Sequence, residues 1–300
     1  MVNERRESNM NKKITVFDIV NYAFLAFFCL TILYPFWNLL MTSLNNPTAG
    51  SLGGLSLWAK EFTLDNYKYV LSSKYIWIGY RETLFRTVLG TSLTIICTAS
   101  AAYALSKKYF PSRNFWTVIV LIPMFFSGGM IPNYLLIVKL GLIDSRFSLI
   151  LPSMISVYNL IIMRNFMMSL PAELEESARI DGASEFKVFW KIVLPMSKAV
   201  LATIALWTII GHWNAWFDAF LYIQDTEKMP LQVVLRRILL EGTDQMINMN
   251  PNTASSSLGN VTPEVIKAAT VFICVLPILC IYPYIQKYFV KGTMVGSLKG

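Results

Sequence analysis

Six stretches of this chain are long and apolar enough to cross a lipid bilayer, and no other feature limits its fold as severely. They run approximately from Val16 to Ser43, Thr83 to Leu105, Phe115 to Val138, Phe147 to Met168, Ala199 to Ile223 and Val265 to Phe289. A hydrocarbon core about 30 Å thick needs roughly 20 mostly apolar residues per helix, because unpaired backbone groups are too costly in lipid. With 55% hydrophobic and only 15% charged residues, the chain has too little charge to cover a soluble surface of its size. An all-α integral membrane protein of about six transmembrane helices is therefore expected, with residues 1–15 and 290–300 as tails around a transmembrane domain at 16–289. The first stretch follows Arg5, Arg6, Lys12 and Lys13 as a signal peptide would. Its apolar run is too long for one and has no small-residue cleavage site, so it reads as a retained span.

Charge sets the orientation. The net charge of +8 is spread over short clusters between the apolar runs and forms no continuous basic segment for nucleic acid. The N-terminal tail, the turn at Lys107, Lys108 and Arg113, the segment from Arg164 to Lys198 and the tail from Lys287 together hold fifteen Lys and Arg. The opposite loops, at residues 44–80, 139–146 and 224–263, hold eight, at Lys60, Lys68, Lys74, Lys139, Arg146, Lys228, Arg236 and Arg237. The excess of basic residues marks the cytoplasmic side, which places both termini there.

Several function classes drop out. Cys29, Cys97, Cys274 and Cys280 lie in apolar stretches without C-x-x-C spacing, as buried small hydrophobes do. His212 is the sole histidine, which argues against histidine metal sites and triads; no metal site and no catalytic residue is expected. The chain has no G-x-x-x-x-G-K-[ST] loop, so any ATP used must be hydrolysed by another subunit. The external loops from about Leu44 to Tyr80 and Gln224 to Pro263 either meet a partner or cap the bundle. Pro35, Pro123, Pro132, Pro152, Pro277 and Pro283, with Gly128 and Gly129, suit kinked and closely packed spans, as found in moving and static bundles alike.

The informative segment lies between the fourth and fifth spans, from Ser169 to Pro195. It reads as two short helices and a tight turn. Pro171 fits a first helical turn, and Glu173, Glu175 and Glu176 sit where carboxylates favour the positive helix end. Asp181-Gly182 stops that helix, Gly182 being suited to a left-handed cap. Ser184 can cap the next helix, where Phe186, Phe189, Trp190 and Val193 make an apolar stripe, and Pro195 bends the chain into the fifth span. Such a segment is either a handle for a soluble partner or an interfacial helix on the headgroups.

Glu176-Ser-Ala-Arg-Ile-Asp-Gly-Ala183 followed by Ile192-Val-Leu-Pro195 resembles the EAA signature of permease subunits in binding-protein-dependent ABC importers. Met124 to Pro132, His212 to Asp218 and the ending Phe289 to Gly300 are similar to one of the two permeases of the maltose-type carbohydrate uptake family. The resemblance is best from about Tyr80 onward. It departs at Ser177, where the signature has alanine, and at Ala199, where many sugar permeases have proline.

The resemblance implies an ABC type I importer permease fold in the bacterial cytoplasmic (inner) membrane. It implies a second, homologous permease, two ATPase subunits that use ATP and Mg, an extracytoplasmic solute-binding protein and a sugar or oligosaccharide cargo. The chain itself would bind no cofactor. Glu176, Ala178, Asp181, Gly182 and Ala183 would form the ATPase-coupling helix and its turn, braced by Ile192, Leu194 and Pro195. Tyr158, Asn159, Trp213, Asn214, Trp216 and Asp218 would lie along the substrate path, although Trp213 and Trp216 equally suit an interfacial aromatic belt. Arg86 is expected to pair with Glu82 at helical spacing, and Arg164 to snorkel to the interface. The alternative is an ion-gradient-driven secondary transporter, which would need an ionisable residue near the membrane midplane. A membrane enzyme or assembly factor would need a catalytic cluster that the sequence does not offer.

Overall fold

The chain is described by a computed structural model over residues 15–46, 57–240 and 262–297, with side chains of the last helix described to residue 281. Helices dominate and no strand occurs among these residues; a lone bridge joins Asn45 and Phe62. In chain order the helices are α1 Val16–Ser43, α2 Asp65–Ser72, α3 Lys74–Ser106, α4 Arg113–Phe125, α5 Met130–Lys139, α6 Val157–Met168, α7 Ala172–Ile180, α8 Glu185–Met196, α9 Lys198–Asn214, α10 Phe217–Tyr222, α11 Leu231–Leu240 and α12 Pro263–Ser297.

Three of the expected spans are single helices, α1, α3 and α12. The first starts where a capping box forms: the Thr15 hydroxyl accepts from the Asp18 N–H at 3.3 Å, and Asp18 accepts from the Thr15 N–H at 2.9 Å. Pro35 is accommodated inside α1, and α12 runs past Pro277 and Pro283.

The other expected spans are interrupted. α4 and α5 meet at 113° across a break containing Gly129, whose φ of +82° is left-handed. The fourth begins as two 3-10 turns, Arg146–Leu149 and Leu151–Ser153, before a 49° bend into α6. The fifth is α9 followed, after Ala215 and Trp216, by the short α10.

α3 is the axis of the bundle, packed chiefly against α9 and α6. At 33 residues it is about 50 Å long, enough to reach beyond the hydrocarbon at both ends. Two apolar cores form along it. One, around Ile76, Trp213, Tyr222, Leu231 and Ile266, gathers α2, α11 and the outer ends of α9 and α12. Val70 of α2 and Leu231 and Val233 of α11 are fully buried in it, so these parts of the two long loops cap the bundle. The second core, around Ala99, Ala102, Met163, Val188, Val193 and Ile204, joins the opposite end of α3 to α6, α8 and α9.

Among the described residues, some of the segments grouped by charge are neighbours in space. Lys107 and Tyr109 contact the 172–185 segment, while Lys74 and Glu227, and Asp144 and Asp225, meet at the other end. In α1, by contrast, only Met41 and Ser43 are buried, and Phe17, Val20, Phe24, Phe27 and Phe36 are exposed. The tails at residues 1–14 and 298–300, and the Gly53-Gly54 pair, lie outside the described residues.

Candidate functional site

Two regions carry the residues singled out by sequence: the segment from Ser169 to Ser197, and a cavity between α3, α6 and α9.

The segment folds as two helices around a turn. α7 starts just after Pro171 and ends at Gly182, whose φ of +79° is the left-handed conformation a glycine cap supplies. The Ala183 N–H closes the turn on the Ala178 carbonyl at 2.9 Å. The Ser184 hydroxyl then caps α8, accepting from the Lys187 N–H at 3.4 Å.

The helix α8 departs from the expected stripe. Its centre, Phe189–Val193, is π-helical, and that wider turn brings residues five apart onto one face. Val188, Phe189 and Val193 are therefore buried, whereas Phe186 and Trp190 are exposed. The bend into α9, 79°, falls at Ser197 rather than at Pro195, and the Ser197 N–H bonds back to the Val193 carbonyl at 2.9 Å.

Burial divides the segment into two faces. Ala178, Ala183, Ile192 and Leu194 pack on the inner core, while Glu176, Asp181, Gly182 and Pro195 are exposed. The exposed face continues through the apolar side chains of Leu174, Ile180, Phe186 and Trp190, with Ile180 at 86% exposure.

Beside that face is a polar cluster that the sequence did not reveal. Glu185 accepts from Tyr103 at 2.7 Å, Tyr109 at 2.9 Å and Arg179 at 2.7 Å. The buried Glu175 takes Lys107 and, at 3.1 Å, Arg179. The Arg179 guanidinium, hydrogen-bonded to Glu185, pulls the Glu185 carboxyl down to about 2. Burial, followed by donation to that carboxylate, holds the Tyr109 phenol above its usual range. A helical spacing of four joins Glu175 to Arg179, but the partners on α3 are some seventy residues away and have no local signal.

The cavity, of about 360 Å3, is lined by Arg86, Thr94, Asn159, Trp207, His212 and Asp218 among others. Arg86 does not pair with Glu82. Its guanidinium makes a two-pronged contact with Asp218, through Nη1 to Oδ1 at 3.1 Å and Nη2 to Oδ2, and donates from Nε to His212 Nδ1 at 3.3 Å. Glu82 instead accepts from Arg146 at 2.5 and 2.9 Å and from Arg81 at 2.9 Å. Tertiary contacts override the spacing because a two-pronged buried carboxylate–guanidinium pair outweighs a helical pair worth a few tenths of a kcal/mol. Nor does Arg164 snorkel freely: it donates to the Leu105 carbonyl at 3.0 Å and so caps the end of α3.

Of the residues expected along a substrate path, Asn159 and Asp218 line the cavity and the others do not. Trp213 is buried in the core around Ile76 and Leu231, with its indole donating to the Cys274 carbonyl at 3.3 Å. Trp216 lies 4.4 Å beneath the Arg236 guanidinium. Tyr158 is exposed beside Trp207, at 5.8 Å between rings, and Asn214 is exposed. The break at Ala215 rotates α10 relative to α9, which separates Asp218 from Trp213. Gly90 backs one of the lining residues: a Cβ there would collide with the His212 imidazole, so the histidine depends on glycine opposite it.

The chain is similar to known proteins over most of its length. The family described as binding-protein-dependent transport system inner membrane component matches residues 90–295. Protein LplC of Bacillus subtilis is 42% identical over 95% of this chain and 95% of its own. The polygalacturonan/rhamnogalacturonan transport system permease protein YtcP of the same organism is 38% identical over 96% of this chain and its whole length. Among solved structures, a chain of a bacterial ABC transporter involved in the import of the acidic polysaccharide alginate superimposes with a TM-score of 0.86, at 34% identity, covering 93% of this chain and all of that one.

Proposed function

Because this chain belongs to the family of binding-protein-dependent transport system inner membrane components, we propose that it forms half of the membrane pathway of an ATP-driven importer for sugars or oligosaccharides. The other half is a second, homologous permease. An extracytoplasmic solute-binding protein delivers the cargo, and two ATPase subunits, using ATP and Mg, drive the cycle from the cytoplasm. The chain sits in a bacterial inner membrane with both termini cytoplasmic, as its Lys and Arg distribution favours.

The observation that carries this reading is the two-faced segment at residues 169–196. Its inner face is packed on the bundle, and its outer face presents Glu176, Asp181 and Gly182 beside exposed apolar side chains. That arrangement suits insertion into a cleft on an ATPase. Closure of the ATPase pair then biases the permease pair between inward-facing and outward-facing states through differential contacts. The cargo class rests on the full-length relative named for polygalacturonan/rhamnogalacturonan transport and on the similar chain from a transporter involved in the import of the acidic polysaccharide alginate.

Asn159, Asp218 and Trp207 supply an amide, a carboxylate edge and an aromatic face to the cavity, a set suited to hydroxylated solutes. Arg86 and Asp218 neutralise each other there, so the lining offers polarity without net charge.

The test is reconstitution. The chain purifies with an ATPase subunit, and uptake of oligogalacturonides or malto-oligosaccharides, presented by the cognate binding protein, is abolished by vanadate. Gly182→Pro inserts normally yet loses uptake, because proline cannot take a φ of +79°. Normal uptake by that variant removes the coupling role of the segment. Vanadate-resistant uptake that collapses with a protonophore replaces the whole reading by a gradient-driven carrier.

A further inference from the structure

The segment at residues 169–196 reaches the spans by two routes of different stiffness. Along the chain, α8 leads to α9 through the π-helical turn and the 79° bend at Ser197. A displacement of the segment is therefore not collinear with α9. Through space, the segment is fastened to one end of α3, which continues without interruption to Arg86 and Thr94 in the cavity wall.

Glu185 is the centre of that fastening. Its Oε2 accepts from Tyr103, from Tyr109 and, at 3.3 Å, from Arg179 Nη2, while Oε1 accepts from Arg179 Nε. Glu175 joins Lys107 to Arg179 beside it. The Tyr103 ring packs against Phe189 at 5.0 Å, and the Lys107 ammonium lies over the same Tyr103 ring, 4.2 Å from its centroid. Tyr103 is in the last turn of α3, and Lys107 is its C-terminal cap residue. Single exposed ion pairs hold little, but four donors converging on one carboxylate leave it a single arrangement.

We propose that Glu185, Arg179 and Glu175, with Tyr103, Tyr109 and Lys107, form a clamp that makes α3 follow the ATPase-facing segment. These are positioning residues: they transmit displacement to the cavity and do not themselves meet the ATPase. The inference rests on the reading of residues 169–196 as the ATPase-facing element.

The complete transporter, with both permeases, ATPase subunits and binding protein in proteoliposomes, tests it through labelled oligosaccharide taken up per ATP hydrolysed. The oligogalacturonide or malto-oligosaccharide that the unaltered transporter carries is the probe. Glu185→Gln keeps the shape but turns one acceptor oxygen into a donor, so at least one contact opposes another donor. Tyr103→Phe removes a single hydroxyl. Both variants are expected to retain their ATPase subunits through purification and to hydrolyse ATP, while uptake per ATP falls about tenfold, within the usual span of coupling effects. An unchanged ratio, including a parallel fall in hydrolysis and uptake, overturns the clamp. So does loss of the ATPase subunits from Glu185→Gln, which would move Glu185 into the dock. Gly182→Pro, measured alongside, reports on docking separately: normal uptake in that variant rejects the ATPase-facing reading, whatever Glu185→Gln does.

Discussion

Two polar clusters lie along α3, one in the cavity and one at the segment end, and they place their charges in opposite surroundings. In the cavity, Arg86 is 3% exposed, and among the described residues its guanidinium has Asp218 alone as a formal counter-charge. At the segment end, half of the Glu185 side chain is exposed, yet it has three partner residues. Breaking the first strands a buried charge. Breaking the second exposes groups that water can serve. The same chemistry thus supports stability in one place and alignment in the other.

The largest effect on folding is expected from separating the cavity pair. Asp218→Asn leaves Arg86 buried without its carboxylate and costs about 3–5 kcal/mol, read as a lowered melting temperature of the purified protein. Replacing both, as Arg86→Met with Asp218→Leu, recovers most of that loss, since neither charge then needs the other. If the double variant is no better than the single one, the pair is not the source of the effect.

Next in size is Gly90→Ala. The new methyl group would meet the His212 imidazole, and overpacking of this kind costs about 1–3 kcal/mol. Adding His212→Ala should relieve it, and a cycle of the four proteins measures the coupling. Strict additivity would mean that the two do not meet.

Glu185→Gln is expected to cost no more than about 1 kcal/mol in melting experiments, as partly exposed pairs do, even though uptake per ATP falls. Its acidity gives a second check. The folded carboxyl lies at about 2, below its ordinary 4.5. Its charge therefore contributes above pH 4.5 and is lost only as pH falls towards 2. Of the groups facing it, Arg179 and Tyr109 are both held above their usual ranges and do not change charge between pH 8 and 5 either; Tyr103 donates to it, and Lys107 and Glu175 lie beyond. Uptake per ATP should accordingly be flat across that interval, and a step near pH 6 would contradict the assignment.

The smallest effect is expected at Phe186. Being 72% exposed, Phe186→Ser should change stability by less than about 0.5 kcal/mol, whereas Phe189→Ala, three residues on and buried, should cost about 3 kcal/mol or more. Equal effects would restore the regular helical stripe that the π turn displaces.

Apolar run length, the distribution of Lys and Arg, and the Pro171 to Pro195 segment with its glycine turn were legible in the sequence because each depends on local physics. A bilayer sets span length, a φ of +79° favours glycine at 182, and a serine at 184 can cap whatever helix follows it. The breaks within the spans, the choice of Asp218 over Glu82 as the partner of Arg86, and the attachment of Glu185 to Tyr103 belong to the tertiary structure. In each of these, residues far apart in the chain satisfy charges or hydrogen bonds that the local sequence leaves open, and a buried polar group takes the partner that packing brings within reach.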